Sequence, residues 1–377
     1  MRYHSAFAMR LAHLGFPLLI GMAIFLFAGS PASHAQEIDS VYGPLPVFEF
    51  HSGFWVNLHH FLYHEARTKS AAKAAMDAPS SSPGSPLIKQ TPGSIVTLNP
   101  AEQKIWDNAV DYYRENHSMK DMQINIDLIL LKDQLSDFED CDELTGKKKP
   151  LCDAGLPGKE GAVLESVAPI YRAHWWTDHN RANRRWVARV APLVREQGVG
   201  LSERLAEIYQ SKWPKEKIRV EVCAYANAAG AYTTLDPLRV TISSIDPRNQ
   251  GSTALEVLFH ESSHGLALPV QNAIARECRQ RDKPIPRNLW HALIYYTTTE
   301  VLRPILQGAN SETFTPALKS QGNTGQKPSR PIPDELRENL SQRGWDDYLH
   351  LLMTYWQPYL DGRVTFEDAI AHMVSAL

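Results

Sequence analysis

The chain is poor in cysteine, with four among 377 residues, too few for a disulfide framework to hold the fold together. Neither Cys223 nor Cys278 belongs to a Cys-x-x-Cys pair, so both are expected to be small buried side chains rather than ligands. Cys141 and Cys152 flank the polar stretch Asp142–Leu151, a loop that a disulfide could close in an oxidising compartment. Excess charge of either sign is also missing: 39 basic against 42 acidic side chains leave −3, which argues against nucleic acid or an anionic membrane as the main partner. No internal repeat is found. The longest uncharged apolar run, Leu14 to Ala28, covers 15 residues and contains Pro17, short of the roughly 20 that span a bilayer.

That run is preceded by Arg2 and Arg10 and followed by Ser33-His34-Ala35, so residues 1–35 read as a secretory signal peptide. The alternative is an uncleaved anchor. Cleavage leaves 37 basic and 42 acidic side chains, or −5. The mature protein is then expected to be periplasmic or secreted, with no stable membrane insertion.

What the remainder has is ordinary for a globular protein, 43% apolar and 21% charged. Apolar residues recur at helical spacing through 53–67, 100–116, 121–138, 161–176, 179–196 and 201–212, separated by loops at 78–93 and 147–160. The period then changes. Ile218–Ala224 and Leu238–Ser244 alternate as strands do and are expected to pair antiparallel across a Gly- and Pro-containing connection. Thr253-Ala-Leu-Glu256 is a capping-box sequence that predicts a helix start near 253. Further helices are expected at 270–281, 288–306, 334–342, 345–358 and 365–376, with residues 308–333 either a surface segment or a wall of the cleft. The expected fold is α+β and mainly helical, with a helical region over 36–215 and a second region over 216–377 whose small sheet packs on the helix carrying the site.

That helix contains Val257-Leu-Phe-His-Glu-Ser-Ser-His-Gly-Leu266. Residues four apart are about 40° apart around a helix axis, so His260 and His264 can share one metal ion. Glu261 lies about 100° from His260, beside the metal, where it can act as general base on water whose pKa zinc lowers to about 7. The neighbours of these three residues are uncharged, as a helix buried beneath a cleft requires.

The pattern resembles the zincin metallopeptidases over about 216–306. The resemblance implies a single Zn2+, hydrolysis of a peptide or protein substrate, and a strand before the helix that aligns the substrate, here Leu238–Ser244. The branch with a third His soon after the motif does not fit, because Ala267 and Val270 stand at its Gly and His positions. In the gluzincin branch the third ligand is a Glu on a later helix, which implies Glu300; the alternative for Glu300 is an ion pair with Arg303. His291, nine residues earlier and half a turn away, is a candidate substrate or oxyanion contact, with Tyr295 and Tyr296 as rivals.

Two other constellations are read as structural. His60 and His64 stand four apart, but the acid Glu65 follows the second of them. The run Arg181, Arg184, Arg185, Arg189 fits the solvated face of a helix that buries Trp186, Val187 and Val190. Two readings compete with the hydrolase: an inactive zincin-fold binding or structural module of the cell envelope, and a helical exported protein without metal.

Overall fold

The structure is a computed structural model that describes residues 45–77, 96–139, 141, 144, 156, 159–308 and 344–377. The expected signal peptide, most of the loops expected at 78–93 and 147–160, the segment after Gly308 and the helix expected at 334–342 lie outside the described residues.

Four short strands organise the rest: β1 (Phe48–His51), β2 (Ile218–Cys223), β3 (Ala231–Leu235) and β4 (Leu238–Ser243), in the order β1-β2-β4-β3. β2 lies parallel to both β1 and β4, and β3 is antiparallel to β4. The two strands foreseen from the sequence are therefore neighbours, but parallel ones. The reason lies in their connection, which contains β3; Leu235 pairs with Leu238 around Asp236-Pro237, so the hairpin belongs to β3 and β4. β1 was not foreseen, since four residues beside a helix are too few to show a period.

The strands alternate between two different neighbourhoods. Phe48, Phe50, Ile218, Val220, Val222, Val240 and Ile242 join the larger apolar core with Leu258, Phe259 and Leu293. The opposite face is mixed: Cys223 and Tyr232 join a second apolar cluster with the N-terminal helices, while Arg219 donates to Glu139 at 2.8 Å and His51 Nδ1 meets the same carboxylate at 2.7 Å. Both faces are covered, as is usual for parallel strands.

The N-terminal helices are α1 (Phe54–Asp77), α2 (Pro100–Asn116), α3 (Ile126–Asp137) and α4 (Lys159–Tyr171), then a π turn at Arg172–Trp176 and α5 (Thr177–Ile208). α2 begins with a reciprocal cap: Asn99 accepts from the Glu102 amide, and Glu102 accepts from the Asn99 amide. α5 runs unbroken where two helices were expected. Gly198 lies within it and allows close packing, because a Cβ there would stand 3.0 Å from Val47 Cγ2 just before β1.

Past the sheet come α6 (Gly251–Ser263), α7 (Leu268–Gln280), α8 (Leu289–Gly308), α9 (Asp346–Leu351), a π turn at Leu352–Trp356, α10 (Gln357–Leu360) and α11 (Phe366–Ser375). α6 starts two residues before the predicted cap. Gly251 takes a φ of +59°, which glycine adopts at little cost. The Gln250 side chain donates to the Ser244 and Asp246 carbonyls, and no side-chain cap bond is made at the helix start. Glu256 accepts from Thr299 of α8 at 2.5 Å, which ties the two site helices together.

The result is the mainly helical α+β fold expected from the sequence. The regions on either side of residue 215 are parts of one compact unit, since β1 completes the sheet and α5 packs on α6. Among the described residues no helix is long and apolar enough to cross a membrane.

Candidate metal centre

α6 is fixed from its apolar side. Leu255, Leu258 and Phe259 are fully buried, and the Phe259 ring meets Phe48 of β1 edge-on at 5.3 Å. His260, Glu261 and His264 consequently project from the remaining surface of the helix. His264 opens a short 3-10 turn but keeps helical torsions (φ −57°, ψ −36°), so the four-residue alignment survives; the two imidazole centroids are 5.1 Å apart. Gly265 lets this helix end lie against β4, where a Cβ would come within 2.7 Å of Leu238 Cδ2.

α8 supplies the third imidazole. His291 Nε2 lies 3.4 Å from His260 Nε2, and the ligand atoms of His260, His264 and His291 all fall within 4.8 Å of one another. Two nitrogens each about 2.05 Å from a tetrahedral zinc stand about 3.3 Å apart. The His260–His291 pair thus already has the span that one zinc ion would require. Burial pushes His264 down to about 4, which favours the neutral imidazole that binds metal. The His291 ring packs on Trp345 at 4.9 Å, and Trp290 meets His264 edge-on at 5.6 Å.

Glu261 is 8% exposed. Its Oε2 accepts a 2.7 Å hydrogen bond from Thr233 of β3 and lies 3.9 Å from His264 Nε2. The carboxylate therefore stands beside the three imidazoles, within reach of a water between them.

The structure brings together three of the four residues foreseen for the site and leaves Glu300 outside. His291, expected as a substrate or oxyanion contact, stands beside His260 and His264 where Glu300 was expected. Nine residues of helix put His291 and Glu300 on opposite sides of α8, so packing His291 against α6 turns Glu300 away. Its carboxylate makes a two-point ion pair with the buried Arg303, with Nε 3.0 Å from Oε2 and Nη2 on Oε1. Of the two tyrosine rivals, Tyr295 meets the His260 ring at 5.0 Å, while Tyr296 donates to Gln357 at 2.6 Å. Thr233 and Trp345 were not foreseen. The first lay in a stretch read as a connection, the second in a helix with no recognisable link to the motif.

β4, expected to align a substrate, is bonded on both sides within the sheet; β3 is the terminal strand. His60 and His64 pack as structural residues: His60 binds the Val56 carbonyl and the Tyr232 hydroxyl, and His64 stacks on Tyr225 at 4.1 Å. Trp186, Val187 and Val190 are buried while Arg185 and Arg189 are exposed, and Arg181 pairs with Asp178. Cys223 and Cys278 are buried free thiols. Cys141 is disulfide-bonded, and Cys152 lies outside the described residues.

Compared with known proteins, the chain matches no family model, no curated protein and no solved structure.

Proposed function

We propose that the chain is a zinc-dependent hydrolase acting on peptide bonds, with His260, His264 and His291 as metal ligands and Glu261 as general base. The observation that carries this reading is the convergence of three imidazoles from two helices beside one nearly buried carboxylate. Three protein ligands leave a fourth position for water or substrate, which is the usual ligand count of a catalytic zinc. Zinc, when bound, supplies the Lewis acidity that polarises a carbonyl and acidifies water. Glu261 takes a proton from the attacking water at its carboxylate and later delivers it to the departing amine, so that one residue serves both steps. An extended peptide fits the terminal strand β3, which can extend the sheet by backbone pairing. An exported enzyme acting in the periplasm or outside the cell agrees with the N-terminal sequence.

The test is made on purified full-length protein. Wild type is expected to hold one zinc per chain and to cleave members of a peptide library, whereas Glu261→Gln keeps the zinc and loses cleavage by a factor of 10² or more. A metal-free wild type would overturn the reading. A wild type that holds zinc and cleaves nothing would favour the binding-module alternative.

A further inference from the structure

Thr233 contacts Glu261 twice. Its Oγ1 lies 2.7 Å from Oε2 and 2.8 Å from the main-chain carbonyl oxygen of the same residue. A threonine hydroxyl has one proton to donate and two lone pairs to accept with. The Oε2 atom it touches is the one facing His264 Nε2 at 3.9 Å. β3 directs this contact by its alternation: Tyr232 and Thr234 reach away toward His60 and Lys132, while Thr233 between them faces α6.

We propose that Thr233 is the positioning residue of the general base, fixing the Glu261 carboxylate through its contacts to Oε2 and to the main-chain carbonyl of the same residue. This inference rests on the reading of Glu261 as base. With the carboxylate ionised, the Thr233 hydroxyl donates to Oε2 and keeps that oxygen directed at the water. The Thr233 proton remains on Oγ1 throughout, and the transferred proton passes from water to Glu261 and on to the leaving amine. The helix end makes the second contact available, since the Glu261 carbonyl sits where α6 tightens into the 3-10 turn.

The experiment compares zinc-loaded wild type with Thr233→Val, which keeps the side-chain shape, and Thr233→Ser, which keeps the hydroxyl. Valine is expected to leave zinc content, melting temperature and KM unchanged and to lower kcat about tenfold or more, with serine restoring it to within about threefold. Crystal structures of the zinc-loaded wild type and Thr233→Val give a second readout that needs no substrate: the Glu261 carboxylate is expected in place in the first and rotated in the second. An unmoved carboxylate, or a valine variant with wild-type kcat, would overturn the proposal. If the wild type holds zinc but cleaves nothing, the hydrolase reading fails, while the two crystal structures still decide whether Thr233 positions Glu261.

Discussion

At the scale of single residues, the proposed ligand set gives His291 the same weight in metal retention as the two histidines of the motif. Removing one of three imidazoles leaves an incomplete ligand set, so His291→Ala is expected to lower zinc affinity at least about 100-fold, as His264→Ala should. Competition with a chromogenic chelator measures both. Substitution of Glu300 separates the ligand sets proposed from sequence and from geometry. Glu300→Gln is expected to keep one zinc per chain and to lose stability, because taking one partner from a largely buried ion pair strands Arg303; such losses run to about 3–5 kcal/mol. Zinc content and urea denaturation of this variant read the two effects independently, and a zinc-free but fully stable Glu300→Gln would contradict both.

Among the secondary-structure elements, legibility followed the strength of local patterns. His260, Glu261 and His264 could be found because helix geometry alone relates them. From the sequence His291 is a candidate substrate or oxyanion contact and not a member of the imidazole cluster, the ligand role being given to Glu300. Local periodicity showed that it and Glu300 face opposite ways, but which face meets α6 depends on packing. Resemblance favoured the carboxylate, and the structure places the imidazole there. β3 was hidden by the same limit: its partner is β4, and register is set by tertiary pairing more than by the five residues themselves. α5, expected from the sequence as two helices, is one, and Gly198 within it admits Val47 against the helix surface. Gly198→Val is accordingly expected to destabilise by about 1–3 kcal/mol through overpacking and lost helix geometry, seen as a lower urea midpoint with unchanged slope. No effect there would mean that the β1 approach is looser than described.

For the molecule as a whole, the buried histidines set an acid limit. Burial pushes His60, His64 and His179 each down to about 4. In the unfolded chain they take up protons near pH 6.5, whereas in the folded protein they stay neutral until about 4. The unfolded state therefore binds more protons across that interval, and stability present above pH 6.5 is lost as pH falls toward 4. Glu221 acts lower. Burial favours its neutral form, but Arg219 outweighs that and holds it down at about 2, so its contribution disappears only below the usual carboxylate range. The melting temperature is expected to fall on the order of 10 °C between pH 7 and 4.5. His64→Phe, which keeps the stacking on Tyr225, is expected to flatten that drop by about a third. A flat profile in the wild type would contradict the burial of these groups.

Sequence distance adds a constraint on when the centre can form. The three histidines are local to residues 260–291, yet the sheet beneath them begins at Phe48, and the ring against His291 belongs to Trp345. During synthesis, a nascent chain that has just released α8 holds all three imidazoles without the wall that Trp345 provides. On the proposed ligand set, tight metal capture is then expected only after Trp345 has been made and packed, and a fragment ending near residue 306 is expected to expose the histidines without that wall.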